Sequence, residues 1–449
     1  MKHFILLTFS LIALHAISLQ ESIDYALEHN NGLKQTDLNV QSAKKQRDAK
    51  HAQNFGRVDV SASYDHYNLS RTLSPLTPMS IIGSPDGSYK IPTTQDLFSA
   101  GISYNVVLFN GFAQQSSYKI SDLMYQNSTI RNKLGREELI YNVRNLYVSI
   151  LALEEQLQAQ TLYTESEKRV LSKIEKQRAL GSKSKLDYLR AKNAYESSKA
   201  QESTISANIE ILKASLTALF GDKEFDNSEA IDIDMLQEVD ESATDIKELQ
   251  RYKAAQIGVQ TSERKIEQAK SAYYPVIDFG AYYGQSFGPN DTTNVVPATS
   301  TAPTAGETLI DEGDWNNQDI WQLGLHLKWN ILDFGSTTAK YEESKISYLE
   351  SQLESNSVAI DLRKNISTAK SKIKLAQAQY SSMQSQYELL DETEKIEQVR
   401  YDNNALTLTD LLETQAKKSL ARAQMINAKY DYQKAIYYLD YLFEKGERK

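Results

Sequence analysis

The fold is decided by residues 321–331, which read WQLGLHLKWNI. Apolar side chains occupy every second position from Trp321 to Ile331, and polar or small residues occupy the positions between them. Residues 98–108 (FSAGISYNVVL) show the same alternation. A period of two over about 11 residues is the pattern and length of a membrane-spanning β-strand. A one-sided strand of a soluble β-sandwich gives the same alternation, so it remains an alternative for this pattern.

The chain contains an internal repeat at a spacing of about 220 residues. Residues 58–64 (VDVSASY) resemble residues 277–283 (IDFGAYY), and residues 108–111 (LFNG) resemble residues 332–335 (LDFG). Each copy reads helix, strand, long loop, strand, very long helix, tip and helix. The predicted strands cover about 58–68, 97–109, 276–287 and 319–331.

Long helices are predicted between the strands because helix breakers are scarce there. All eight prolines lie in two windows, 75–92 and 275–303, and residues 112–180 contain a single glycine, Gly135. A continuous helix over that stretch would be on the order of 100 Å long. Apolar residues recur in steps of three and four, which indicates coiled-coil seams, at Val143, Leu146, Ile150, Leu153 and Leu157 and again at Ile205, Ile209, Leu212, Leu216 and Leu219. A conduit that bridges a compartment could use helices of this length.

Each helical hairpin ends in a predicted turn. Residues 184–187 (SKLD) and 407–410 (TLTD) place a hydroxyl residue at the N-cap and an acid three residues later, which resembles a capping box. Gly181 and Asn404 precede these caps and tolerate the left-handed conformation that ends a helix. The two tips are therefore predicted near 181–187 and 403–410.

The composition excludes several classes of protein. The net charge of -9 argues against a nucleic-acid binder, and the chain has no cysteine. The six histidines show no metal-ligand spacing, and neither a P-loop nor a nucleophile elbow nor a dinucleotide fingerprint occurs. We therefore predict no enzymatic activity and no cofactor. A positively charged start, an apolar stretch and Ala16-Ile17-Ser18 predict a cleaved signal peptide at 1–18.

Four strands from one chain cannot close a barrel. An open sheet edge in hydrocarbon leaves backbone groups unpaired at several kcal/mol each, so the chain is predicted to associate with copies of itself. Two copies would supply eight strands and a lumen filled by side chains, whereas three would supply twelve and could leave a passage. The charged helices would project from the membrane, with the loops at about 69–96 and 286–318 on the other side.

The chain resembles the TolC-like outer-membrane factors of Gram-negative efflux pumps and type I secretion systems. The resemblance covers essentially the whole mature chain and is most specific at residues 401–413 (YDNNALTLTDLLE), followed by residues 421–423 (ARA) and 428–432 (AKYDY). It implies a homotrimer with a 12-stranded outer-membrane β-barrel, an α-helical barrel through the periplasm and an equatorial belt. It also implies a periplasmic adaptor protein docked at the tips and an inner-membrane transporter of the RND, ABC or MFS type that supplies the energy.

The resemblance also implies roles for individual residues. Asp410 and Glu413 match acidic positions of the periplasmic constriction, Tyr401 matches a tyrosine that holds it shut, and Asp187 matches an acid on the first hairpin. The family's arginine position is Leu406 here, which departs from the family's salt-bridge latch. Lys183 aligns with this position in the first repeat and is a candidate substitute for the arginine. Adaptor contacts are predicted at the tips, at Gly181, Ser182, Lys183, Asn403, Asn404 and Ala405.

These roles have plainer alternatives. Helix capping is an alternative role for Asp187 and Asp410, and a solvated helix face is the alternative for Glu413. A structural or adhesive coiled-coil protein of the cell envelope would explain the helices, but not four amphipathic strands in two matched pairs. The predicted organisation is a first repeat at 19–220, an acidic connector at 221–245 and a second repeat at 246–449.

Overall fold

The computed structural model describes residues 17–73, 90–91, 93–221, 224–225, 228–231, 233, 235, 245–289, 293–294 and 315–446. The predicted signal peptide lies outside these residues, apart from Ile17 and Ser18. Most of the acidic connector and much of the two loops predicted at 69–96 and 286–318 also lie outside them. The chain divides into two compact units, described separately below: residues 17–41, 126–257 and 353–446 form the helical unit, and residues 42–125 and 258–352 form the sheet unit.

The first half of the chain forms two short helices, two long paired strands and a long helical hairpin. Its elements are α1 (Leu19–His29), α2 (Asn31–Ala52), a 3-10 turn (Gln53–Phe55), β1 (Arg57–Thr72), β2 (Lys90–Ile91), β3 (Thr93–Phe109), α3 (Ala113–Ala179) and α4 (Lys185–Phe220).

The second half follows the same order of elements, except that a 3-10 turn stands where the first half has α1. Its elements are a 3-10 turn (Ile246–Glu248), α5 (Gln250–Lys270), a 3-10 turn (Ser271–Tyr273), β4 (Val276–Pro289), β5 (Thr293–Asn294), β6 (Trp315–Lys328), α6 (Ser336–Asp402) and α7 (Leu408–Leu442). β6 ends at Lys328, three residues before the predicted end. Lys328 pairs with Val276, and Pro275 before it has no N–H to continue the ladder.

The sheet unit contains a four-stranded antiparallel sheet in the order β1-β3-β4-β6, and β2 pairs with β5 separately. The register aligns apolar residues across all four strands: Val60 faces Ile102, Ile102 faces Tyr283, and Tyr283 faces Trp321. All four side chains are more than half exposed. The other face aligns Asp59, Ser103, Tyr282 and Gln322 in the same way. The alternation predicted from the sequence therefore gives one apolar and one polar face.

The helical unit is held together by the seams of its helices. Val143, Ile150 and Leu216 are fully buried in one apolar cluster, where each contributes about 1.5–3 kcal/mol by leaving water. Tyr147 is buried in the same cluster. Its hydroxyl oxygen accepts from the Glu229 N–H at 2.8 Å, and its single proton can be donated to the carbonyl oxygen of Ile17 at 2.7 Å or to that of Glu229 at 2.8 Å. The predicted seams of α3 and α4 thus supply much of this core.

The two longest helices, α3 and α6, each have 67 residues and so extend on the order of 100 Å. α3 runs without interruption through Gly135, where an added Cβ atom would touch nothing within 4 Å. Among the described residues, no helix combines the length and the apolar character needed to cross a bilayer.

Candidate functional site

The first hairpin tip joins α3 to α4 through a tight turn. Gly181 adopts a positive φ of 78°, and its N–H donates to the carbonyl oxygen of Arg178 at 2.9 Å, so α3 ends there. Ser184 is the N-cap of α4: its hydroxyl accepts from the Asp187 N–H at 3.1 Å, and the Asp187 carboxylate accepts from the Ser184 N–H at 3.1 Å. The capping box of this tip is therefore complete. Hydrogen bonding from Ser184 lowers the pKa of Asp187 from its ordinary value.

The second tip joins α6 to α7 with related geometry. Asn404 takes the left-handed conformation with a φ of 57°, and the Ala405 N–H donates to the carbonyl oxygen of Arg400 at 2.8 Å. Thr407 is the N-cap, because its hydroxyl accepts from the Asp410 N–H at 3.3 Å and donates to the Asp410 carboxylate at 2.6 Å. Glycine and asparagine thus occupy equivalent positions, one in each hairpin.

The two hairpins are joined near their tips by polar contacts. Lys173 of α3 donates to the Asp402 carboxylate at 2.7 Å, and Arg190 of α4 donates to the Thr409 hydroxyl at 2.8 Å. The ion pair with Lys173 is the main reason that the pKa of Asp402 lies below its ordinary value. These contacts connect residues that are more than 200 positions apart, and no local sequence pattern predicts either of them.

Tyr401 lies inside the cluster that packs these hairpins together. It is 6% exposed and packs with apolar residues of three helices, including Ile174, Ala191 and Leu411. The ammonium nitrogen of Lys183 lies 5.0 Å from the centre of its ring, a cation–π distance. Lys183 is the residue suggested by the sequence as a substitute for the missing arginine. It thus contacts Tyr401 of the same chain.

The acids predicted to line a constriction are exposed at the start of α7. Asp410 and Glu413 are both open to solvent, one helical turn apart. The Glu413 carboxylate accepts from the Lys417 ammonium group at 2.7 Å. Because both partners are well exposed, this pair adds little to stability. It does place a positive charge beside one of the two predicted acids.

Glu167 is a buried acid that the sequence reasoning missed. It is 0% exposed on α3, seven residues before Ile174 and therefore on the same helical stripe. Neither carboxyl oxygen has a partner at hydrogen-bonding geometry. Burial raises the pKa of Glu167 to about 7, and the nearby Tyr163 hydroxyl lowers this pKa by a smaller amount. The one sequence feature that could have indicated this buried acid is a charged residue at a seam position of α3.

The polar face of the sheet carries charged and hydroxyl side chains. Arg57 pairs with Asp59 at 2.6 Å, and His326 Nδ1 lies 3.2 Å from the Asp278 carboxylate. Asp59, Asp278 and His326 all lie on the face opposite the apolar row. Among the described residues, no group of His, Asp or Glu is arranged to hold a metal ion.

A match to a protein-family model establishes the family of this chain. The model described as "Outer membrane efflux protein" matches residues 22–222 and 249–442, which is most of the chain and includes both hairpins. The chain belongs to the outer membrane efflux protein family. It is accordingly placed in the cell outer membrane of a Gram-negative bacterium and extends into the periplasm, and it is an outer-membrane efflux channel protein. This assignment favours the channel over the structural or adhesive alternative. No curated protein matches the chain.

Several solved structures share this family's fold. A membrane protein from Pseudomonas aeruginosa is 17% identical with a TM-score of 0.77, and the match covers 94% of this chain and 93% of that one. The Campylobacter jejuni CmeC outer membrane channel is 18% identical with a TM-score of 0.77, covering 95% and 86%. The open state of the Neisseria gonorrhoeae MtrE outer membrane channel is 16% identical with a TM-score of 0.72, covering 95% and 89%. At these identities the likenesses establish the fold.

Proposed function

We propose that three copies of this chain form the outer-membrane channel-tunnel of a tripartite efflux or type I secretion system. In it, substrates pass passively from a periplasmic adaptor and an inner-membrane transporter to the exterior. The observation that carries the proposal is that both edges of the four-stranded sheet are unpaired. Among the described strands, β1 and β6 each have one neighbour, so each leaves one edge unpaired.

Closure by copies of the same chain satisfies those edges. A sheet that spans a bilayer must have every backbone group paired, because hydrocarbon offers no substitute for water. If β6 of one copy pairs with β1 of the next, three copies give a closed cylinder of twelve strands, which is wide enough for a passage.

The two faces of the sheet fit this arrangement. The apolar face includes Val60, Leu323 and Leu325, which are 79%, 63% and 70% exposed. Contact with lipid would remove this surface from water, at about 25 cal/mol per Å². The polar face, with Asp59, Asp278 and His326, would then line the passage. The long charged helices would continue the passage as an α-helical barrel through the periplasm.

The tips are the proposed points of contact with an adaptor. Gly181, Ser182, Asn403, Asn404 and Ala405 are all exposed, and Lys183 is partly exposed. The energy for transport would come from an inner-membrane transporter of the RND, ABC or MFS type. We propose that the periplasmic end of the channel narrows to a constriction that favours cations. Its acids would be Asp410 and Glu413 from each of the three copies. Asp187 and Tyr401, which lie near the same hairpin tips, are assigned to the same constriction.

Site-specific crosslinking tests the proposal. Because the chain contains no cysteine, a single introduced cysteine is the one site that a maleimide labels. A photoreactive maleimide attached to Ser182→Cys or Asn403→Cys is expected to capture an adaptor protein from the periplasm. Ser203→Cys, which is exposed on α4 well away from the tip, is the matched control. The same preparation is expected to run as a heat-modifiable trimer and to conduct ions in planar bilayers. A monomer that stays soluble without detergent would contradict the proposal.

A further inference from the structure

Two pairs of glycines face each other across neighbouring strands on the polar face. Gly101 of β3 lies opposite Gly284 of β4, and Gly280 of β4 lies opposite Gly324 of β6. Glycine weakens a strand, because it loses more backbone entropy on folding and has no side chain to pack. Glycines inside strands commonly mark a place where another group approaches closely.

The phenol ring of Tyr282 occupies the space above the first pair. A Cβ atom at Gly101 would lie 2.6 Å from Cζ and 2.7 Å from Cε2 of Tyr282. One at Gly284 would lie 2.7 Å from Cζ and also 2.7 Å from the backbone carbonyl oxygen of Ala100. The Tyr282 hydroxyl oxygen lies closer still to both positions. Carbon atoms in contact are about 3.5–4.0 Å apart, so with the ring in this position only glycine fits at either residue.

Tyr283 gives a comparison within the same strand. It lies on the apolar face opposite Trp321, and 57% of its surface is exposed. Tyr282 is on the open polar face but is only partly exposed. The difference follows from the position of its ring, which lies along the sheet over Gly101 and Gly284. An aromatic side chain laid over a strand glycine covers the backbone that the glycine leaves bare.

His326 shows a looser version of this arrangement. A Cβ atom at Gly324 would lie 3.1 Å from its Cε1 atom, and one at Gly280 would lie 3.7 Å from the same atom. These distances leave room for the imidazole ring to adjust. Gly101 is therefore required by the Tyr282 ring alone, whereas Gly284 is required both by that ring and by the carbonyl oxygen of Ala100.

We propose that Gly101 and Gly284 are positioning residues that hold Tyr282 flat against the wall, and that they set the largest solute able to pass the strand region. This rests on the proposed function, because it requires the polar face to line the passage. A side chain at either glycine would force the Tyr282 ring to turn away from the sheet and into the lumen. In a symmetric trimer, three rings would move inward together at one level.

Polymer exclusion in planar bilayers measures this width. Polyethylene glycols of graded mass are added to each side of the reconstituted channel in turn, and the largest polymer that lowers the conductance is recorded. Gly101→Ala and Gly284→Ala are each expected to lower the mass limit from the strand side, because pore diameter decides which solutes pass. The limit from the tip side is expected to stay unchanged in both variants.

Removing the ring tests whether the glycines act through Tyr282. Tyr282→Ala is expected to restore the strand-side limit when combined with Gly101→Ala. Gly258→Ala is the matched control, because a Cβ atom there meets nothing within 4 Å. If Gly101→Ala prevents assembly, recovery of the trimer by Tyr282→Ala supports the inference, and failure to recover contradicts it.

The outcomes separate this inference from the proposed function. A wild-type protein that forms no channel would contradict the proposed function itself. A wild-type channel whose polymer limit is unaffected by Gly101→Ala and by Gly284→Ala would contradict the inference alone. A lowered limit that Tyr282→Ala does not restore would also contradict it.

Discussion

At the scale of single residues, the ionisable groups of the helical unit fall into two kinds. Asp187 and Asp402 accept hydrogen bonds that favour their charged forms. Glu167 has the opposite environment, because it is buried without a partner at hydrogen-bonding geometry. Near neutrality, the free energy of unfolding should therefore depend on pH chiefly through Glu167. The exposed acids Asp410 and Glu413 should instead affect the ions that pass through the channel.

Glu167 should make the protein less stable as the pH rises towards 7. Its pKa is about 7 in the folded chain against 4.5 ordinarily, so the unfolded chain releases this proton first. The stabilisation is complete below about pH 4.5 and is lost as the pH rises through about 7, a change of about 3 kcal/mol. Glu167→Gln is expected to remove this dependence from the melting temperature in detergent. Exposed Glu165→Gln is the control, and identical pH profiles for wild type and Glu167→Gln would refute the prediction.

The acids at the start of α7 should set ion selectivity. Asp410→Asn combined with Glu413→Gln is expected to reduce the preference for cations, because fixed negative charge at a constriction attracts them. Lys417→Ala should increase that preference, since Lys417 pairs with Glu413 at 2.7 Å. The reversal potential in a KCl gradient measures both changes, and Glu388→Gln on α6 is the control. Unchanged selectivity in the double variant would exclude these acids from the constriction.

At the scale of elements, the hairpin tips depend on backbone conformation more than on packing. Gly181 has a φ of 78° and would have no neighbour within 4 Å of an added Cβ atom. Gly135 is equally free of neighbours but lies inside α3. The same substitution at these two glycines therefore isolates the effect of the backbone.

Alanine should have opposite effects at the two positions. Gly181→Ala is expected to destabilise its tip by about 1 kcal/mol, because an L-residue is disfavoured at positive φ. Gly135→Ala should stabilise α3 by about 1 kcal/mol, since alanine has the higher helix propensity. Hydrogen exchange of the amides around each site reports both effects. Equal protection changes at the two glycines would contradict this account.

The sequence predicted the elements better than their contacts. Strand alternation around Trp321 and the residues that cap α4 and α7 depend on short-range rules, and the structure places strands and caps there. The ion pair between Lys173 and Asp402 depends on how two helices from opposite halves of the chain align, and no local pattern encodes that alignment. The burial of Glu167 was missed for the same reason, because seam positions normally carry apolar residues.

At the scale of the whole molecule, the two faces of the sheet should differ in their tolerance of charge. Leu325→Arg on the apolar face is expected to cost about 2–4 kcal/mol near the bilayer midplane and to reduce the amount of assembled trimer. Gln322→Arg, three positions earlier on the polar face of the same strand, should assemble normally. The heat-modifiable trimer recovered from outer membranes measures both variants. Equal loss for the two variants would show that the apolar face is not in contact with lipid.

The unpaired edges of β1 and β6 also have a consequence for biogenesis. In the proposed trimer, a newly exported subunit would carry both edges and a bare apolar face until its neighbours arrive, and such surfaces promote aggregation. Insertion and trimerisation should therefore be one concerted event whose rate rises steeply with the local concentration of subunits. Under-expression would then deplete finished channels more than proportionally, while the orphaned subunits would become substrates for periplasmic proteases.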